Sequence, residues 1–388
     1  MSIDHLEPFA NHLPVRVRFG VGTVEELGRV LEELGATRVA AIVDPAASGP
    51  AAAALGAVSP IGVIEIESGE PTVESVQLAG DTLAGLGARA VVAIGGGSAL
   101  DTAKGARLVA AGGRTIRKLV DGTAPLPSRQ PIAAIPLVAI PTTAGTGSEV
   151  TGGCVMHDGQ VGRKVGLALP ANRAQAAIVD PDLTFGLPPG PTLYGGVDAL
   201  AQGLGPTVTR PATPVGDAIG LEAVRLAARA LPRVAANRGD VDARSEMSCA
   251  SLLAGLAMNI SECGAEHWLA HPLGTALGVP HGLSVGLVLA ESMEIDRQAA
   301  PQRFERVADA MAEPDDGSAD GSRAVRAVGR LLREVGLPTA AGAGLREDMI
   351  DELVDSALAF WPPTPPHDWT PDDVRAAYQA ALALGTQR

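Results

Sequence analysis

The chain has 388 residues, 46% of them hydrophobic and 19% charged, with a net charge of −14 at pH 7. That length accommodates two domains and a sizeable core, and the balance of apolar and charged residues excludes a disordered chain. The negative charge repels phosphate backbones, and an aromatic content of 3% leaves no stacking platform, so nucleic acid is excluded as an expected partner.

Three scattered cysteines, Cys154, Cys249 and Cys263, are too few and odd in number for a disulfide framework, which predicts a reducing, cytoplasmic setting. The start, MSIDHLEPFANHLP, is polar and acidic where a secretory leader is basic and then apolar. No apolar run approaches the ~20 residues of a membrane helix, so no membrane association is expected.

In chain order, Val15 to Phe19 reads as a strand, and Val24, Leu27, Val30, Leu31 and Leu34 then recur at helical spacing. Arg38 to Val43, Gly62 to Ile66, Ala90 to Ile94 and Leu137 to Ile140 are short apolar runs, with a helix predicted over Thr72 to Leu86. Such alternation implies a parallel sheet with helices on its faces. Past Leu187, the prolines 188, 189 and 191 punctuate the chain, and apolar residues such as Leu221, Val224, Ala228 and Leu231 follow the helical period. The expected architecture is an α/β domain with a Rossmann-like parallel sheet over 1–187 and an all-α domain over 188–388. The DDGSADGS stretch at Asp315 to Ser322 and the WPPTPPH stretch at Trp361 to His367 read as connectors.

Ala90 to Lys104, AVVAIGGGSALDTAK, is a buried strand, three glycines and a helix start. Gly95, Gly96 and Gly97 let the backbone approach a phosphate, and the new helix offers free amides and a positive dipole end at Ser98. Asp101 has capping-box spacing from Ser98; it either closes the helix start or faces the cofactor. Asp44 ends a strand before Pro45, where a carboxylate either accepts from ribose hydroxyls or forms a turn. The ribose reading selects NAD over NADP. Ile140 to Thr151, IPTTAGTGSEVT, places the hydroxyls of Thr142, Thr143 and Thr146 in a loop able to wrap a cofactor.

Three of the seven histidines fall in Glu266 to Gly282, EHWLAHPLGTALGVPHG. His267 and His271, four apart, share a helix face, and His281 follows a Gly/Pro-containing loop that can fold back on them. The arrangement suits a metal or proton-transfer centre; the plainer reading is two helix-face histidines and one in a loop.

GGGSALDTAK at Gly95 to Lys104, PTTAGTGSEVT at Pro141 to Thr151, DPDLTFGLPP at Asp180 to Pro189, GGVDALAQ at Gly195 to Gln202 and HWLAHPLGTALGVPHG at His267 to Gly282 together resemble the iron-containing (group III) alcohol dehydrogenases. The resemblance implies the dehydroquinate synthase-like fold, NAD(P) held by the GGGS and PTT loops, and a divalent metal, Fe²⁺ or Zn²⁺. By position, Gly96, Gly97 and Ser98 would hold the pyrophosphate. Thr142, Thr143 and Leu183 would lie near the adenine, Lys164 near the nicotinamide ribose, and Asp44 where the family has its ribose-reading acid. The metal positions match Asp198, Gln202, His267 and His281, with Gln202 where the family has histidine. His271 resembles the histidine implicated in proton relay or substrate contact. Glu262, Glu266 and Trp268 flank the site where smaller or more neutral residues are usual, and Trp268 either narrows the pocket or packs between helices.

The expected activity is hydride transfer between NAD(H) and an alcohol or its aldehyde or ketone, in a homodimer or larger oligomer. Alternatives are a metal-independent reductase similar to the maleylacetate reductases, with His267, His271 or His281 donating the proton, and a catalytically silent NAD-binding protein. A cyclase related to dehydroquinate synthase fits the glycine and PTT motifs less well.

Overall fold

The computed structural model describes residues 9–47, 49–67, 69–112, 115–121, 134–359 and 364–384. Positions 1–8 of the polar start and 361–363 of the Pro-rich turn lie outside the described residues. The chain divides into two compact units, Leu13–Gly186 and Leu187 onward, the latter joined by the described residues up to His12.

The first unit contains, in order, β1 (Arg16–Phe19), α1 (Leu27–Glu33), β2 (Val39–Val43), α2 (Pro50–Val58), β3 (Val63–Glu65), α3 (Val73–Gly85), β4 (Ala90–Gly95), α4 (Gly97–Gly112), α5 (Ile116–Val120), β5 (Leu137–Pro141), β6 (Val155–Asp158), β7 (Arg163–Gly166) and β8 (Ala176–Val179). Six strands form a sheet in the order β1-β8-β5-β4-β2-β3, and every pair within it is parallel. Because side chains alternate along a strand, each face carries its own apolar layer. Leu27, Leu31 and Leu55 of α1 and α2 pack with Ala41, Val92, Ile94 and Ile140, whereas Leu83, Leu100 and Ala103 of α3 and α4 pack with Ala40, Ile42, Val91 and Ala93 on the other face.

The helix expected over Thr72 to Leu86 forms with those two residues as its caps; Thr72 Oγ1 accepts from Ser75 N–H and Ser75 Oγ accepts from Thr72 N–H. The region expected to be helical from Val24 begins as a 3₁₀ turn at Thr23–Glu26. Three strands were not anticipated. β8 has four residues, all buried, and a run that short carries no periodicity to separate it from helix or loop. The antiparallel β6–β7 hairpin stands apart from the main sheet.

Strand order reverses at β2 and β4: the chain goes one way to β3 and the other way to β5. Ligands of open α/β sheets collect at the carboxyl ends of strands flanking such a reversal. Asp44 and Gly95–Gly97 follow those two ends.

The second unit contains α6 (Pro189–Val208), α7 (Pro214–Ala236), α8 (Val241–Ser261), α9 (Ala265–Leu277), α10 (His281–Gly286), α11 (Leu289–Asp296), α12 (Pro301–Ala310), α13 (Ser322–Glu334), α14 (Ile350–Leu358) and α15 (Pro371–Leu384). Its described residues include no strand. α6 packs against α7, α8 and α10, which explains why it is buried almost all round from Gly196 to Val208. Among the described residues, no helix is long and apolar enough to cross a membrane.

Candidate functional site

In the α/β unit, the switch point brings the glycine motif, Asp44 and the PTT loop together. A Cβ at Gly95 would lie 2.7 Å from the Cβ of Asp44 and of Ala99, one at Gly96 3.2 Å from Thr143 Cγ2, and one at Gly97 2.9 Å from Thr146 Cγ2. Thr142 N–H donates to Gly95 O at 3.0 Å. The first helical bonds of α4 are those of Ala99 and Leu100 to Gly96 O, so the amides of Gly97 and Ser98 precede them and stand at the positive end of a 16-residue helix.

Asp44 Oδ1 accepts from Ala46 N–H at 2.9 Å, so it forms the turn that its place before Pro45 suggests. Asp101 neither caps α4 nor joins the glycines. Its Oδ1 accepts from Ser148 Oγ at 2.6 Å and its Oδ2 from Val155 N–H at 2.9 Å. Lys104, one turn on and wholly buried, lies 3.3 Å from Asp101 Oδ1 and donates to Ser148 Oγ and Gly153 O at 2.6 Å each. The pair ties α4 to the end of the PTT loop. The i, i+3 spacing of Asp101 and Lys104 was the available signal for the pair; their loop partners are 44 or more residues away. Leu183 packs, partly buried, on the core layer beneath α1 and α2. Lys164, on β7, is paired with Glu70.

In the helical unit, α6, α9 and α10 converge on Asp198, His267 and His281, whose ligand atoms all lie within 4.8 Å of one another. Asp198 Oδ1 is 3.4 Å from His267 Nε2 and 3.8 Å from His281 Nε2. α10 reaches α6 because residue 282 is glycine: a Cβ there would lie 2.1 Å from Tyr194 O and 3.2 Å from Asp198 Cβ. His271, one turn beyond His267 on α9, stacks on His281 with centroids 5.2 Å apart and planes at 21°.

Gln202 is drawn to Asp198: its Nε2 donates to Asp198 Oδ2 at 2.9 Å. On the other side of His267, Glu266 Oε1 lies 2.9 Å from Nδ1. Asp198 Oδ1, Gln202 Oε1 and His267 Nε2 are buried without a hydrogen-bond partner among the described residues. Buried polar atoms left without a protein partner fit a divalent cation, and one carboxylate with two imidazoles is a donor set suited to Zn²⁺ or Fe²⁺.

Burial works to raise the Asp198 carboxyl, but contact with the His267 and His281 rings and the Gln202 amide outweighs it and holds the group below its ordinary 3.8. Burial likewise opposes charge on His267, yet Cys263 when ionised, Asp198 and Glu266 raise the ring well above its ordinary 6.5. Burial pushes the Cys263 thiol up to about 11, so near neutral pH it is the carboxylates that act on His267.

Trp268 faces away. Its Nε1 donates to Ala357 O at 2.6 Å and its ring meets Trp369 edge-on, with centroids 5.8 Å apart, so it packs between helices. Glu262 follows α8 as its C-cap with φ +64°. The sequence singled out Glu266 only as a flanking acid. Adjacent helical residues do not face each other, so spacing offers no signal for its contact with His267.

Residues 14–181 match the family model described as iron-containing alcohol dehydrogenase, and residues 192–382 match that for the C-terminal part of the same family. The chain is 30% identical to a choline dehydrogenase of Bacillus subtilis over 92% of this chain and 91% of that one. It is 31% identical to an NAD-dependent methanol dehydrogenase of Bacillus methanolicus, covering 89% and 92%. Among solved structures, a 1,3-propanediol oxidoreductase superposes with a TM-score of 0.89 at 26% identity, covering 97% of this chain and all of that one. The sulfoacetaldehyde reductase of Bifidobacterium kashiwanohense in complex with NAD⁺ gives 0.86 at 27%, covering 97% and 99%. With both halves of its length matched in order, this chain belongs to the iron-containing alcohol dehydrogenase family.

Proposed function

We propose that the protein is an NAD(H)-dependent oxidoreductase that interconverts a small alcohol and its aldehyde or ketone by metal-assisted hydride transfer. The observation that carries the reading is the convergence of Asp198, His267 and His281 within 4.8 Å, with buried acceptors left unsatisfied, in a chain that also carries the glycine cradle.

In this reading the α/β unit is the cofactor domain. Gly95, Gly96, Gly97 and Ser98 hold the pyrophosphate; Thr142, Thr143 and Thr146 line the same loop cluster; Asp44 reads the adenosine ribose. Leu183 flanks the adenine and Lys164 the nicotinamide ribose. Asp101 serves the site indirectly, by holding the PTT loop on α4.

Asp198 Oδ1 and the Nε2 atoms of His267 and His281 would hold the cation, while Gln202 orients Asp198. The chemistry supplied by a divalent cation held there would be polarisation of the substrate oxygen and a lowered alcohol pKa. His271, stacked on His281 and partly exposed, would take the substrate's hydroxyl proton and pass it to solvent, while the carbon bearing that oxygen would give its hydride to a bound nicotinamide. A cytoplasmic homodimer or larger homo-oligomer accords with this reading.

The test is elemental analysis of the purified chain, as isolated and after anaerobic Fe²⁺ or Zn²⁺ loading, alongside NADH formation with a panel of alcohols. About one metal per chain, lost together with NADH formation in Asp198→Ala, is the expected result. A metal-free chain under both conditions would end the metal-assisted reading. NADH-dependent reduction of carbonyls by such a chain would point to the metal-independent alternative.

A further inference from the structure

Glu266 is a carboxylate almost wholly enclosed by protein, at 2% exposure, and among the described residues His267 is its sole ion-pair partner. Two glycines make room for it. A Cβ at Gly264 would lie 2.3 Å from its Oε2, and one at Gly205 of α6 would lie 2.8 Å from its Oε1. The side chain curls back around the start of α9, where Oε1 accepts from Gly264 N–H at 3.2 Å and lies 2.9 Å from His267 Nδ1. Holding the carboxylate at that helix start lets it reach a neighbour that the helical spacing alone would turn away.

Resting on the metal-assisted reading above, we propose that Glu266 is a positioning residue for the metal centre. Its carboxylate takes the Nδ1–H of His267, which fixes the tautomer, presents the Nε2 lone pair toward Asp198 and His281, and makes the imidazole a stronger donor. A carboxylate behind a ligating histidine acts in this way generally. Here it has a particular job, because Gln202 gives its Nε2–H to Asp198 and supplies no imidazole. Electron donation through His267 then compensates for the poorer donor at position 202.

The test uses the full chain stripped of metal and titrated with Zn²⁺ against a chromophoric competing chelator, for wild type, Glu266→Gln and Glu266→Ala, with the melting temperature of each metal-free protein recorded. Glu266→Ala is expected to bind Zn²⁺ about 100-fold more weakly and Glu266→Gln, which keeps an acceptor but not the charge, about 10-fold more weakly. Wild-type affinity in Glu266→Gln, or in both variants with only the melting temperature lowered, would overturn the proposal and leave Glu266 a structural anchor for Gly264. If Glu266→Ala does not fold, the Gln variant decides alone. A wild-type chain that takes up no Zn²⁺ or Fe²⁺ would overturn the metal reading itself, and this proposal with it.

Discussion

Gln202 donates from Nε2 to Oδ2 of Asp198 at 2.9 Å, one turn back along α6, so the two oxygens of Asp198 are no longer equivalent. Oδ2 is held, and Oδ1 faces His267 and His281. On the metal-assisted reading, Gln202 is expected to act through Asp198. Replacement by alanine removes that hold and is expected to weaken Zn²⁺ binding by about tenfold. Gln202→His supplies a fourth strong donor and is expected to raise Fe²⁺ affinity by at least about tenfold. Competition titrations on both variants check this; affinities equal to wild type in both would remove Gln202 from the site.

Gly282 determines whether α10 reaches α6, since a methyl group there would meet Tyr194 O at 2.1 Å. Gly282→Ala is expected to cost about 3 kcal/mol and to pull His281 away from Asp198. Metal content should fall even where the variant remains folded. A variant with full metal content and unchanged melting temperature would contradict the packing described.

Removing the Asp101 carboxylate takes from the buried Lys104 its ion-pair partner at 3.3 Å. Asp101→Ala is expected to destabilise the α/β unit by about 3–5 kcal/mol and to loosen the PTT loop, weakening NAD binding. Thermal unfolding with and without NAD measures both effects. If NAD affinity falls while stability is untouched, Asp101 acts on the cofactor directly.

Asp44 at the end of β2 is expected to repel a 2′-phosphate, giving a preference for NAD over NADP of at least about tenfold. Asp44→Ser should erase that preference. Fluorescence titration with the two reduced cofactors decides it, and equal wild-type affinities would assign Asp44 to its turn with Ala46 alone.

Three buried acids give stability a definite pH slope. Burial raises Asp296 from 3.8 to about 8, despite the Trp369 Nε1–H donated to its Oδ1 at 2.8 Å, and raises Glu291 and Glu149 from 4.5 to about 7. The folded chain then holds more protons than the unfolded one between pH about 4 and 8, so stability falls as pH rises through that window. Below the ordinary carboxyl range the contribution is fully present; above about pH 8 it is lost. The melting temperature is expected to decline from pH 5 to 8.5, and Asp296→Asn should flatten the decline. An Asp296→Asn curve parallel to wild type would show that Asp296 is already ionised in the fold.

The α/β character of the first unit, the end of strand signals near Leu187, the glycine turn between β4 and α4 and the grouping of the three histidines were legible in the chain itself. They rest on local periodicity and on residues whose chemistry is carried by their type. β8 was not legible, because four apolar residues become a strand only when β1 and β5 stand on either side. The distinctions that set the chemistry were equally out of reach. Which oxygen of Asp198 is left free, which nitrogen of His267 faces the site, that Trp268 turns to α14 and that Asp101 serves the PTT loop all depend on contacts between residues distant in sequence or not facing each other on a helix. Sequence alone determined which groups the protein owns and roughly which elements carry them. Their orientation was decided by tertiary packing, because a side chain's hydrogen-bond partners are fixed only when separate elements close around it.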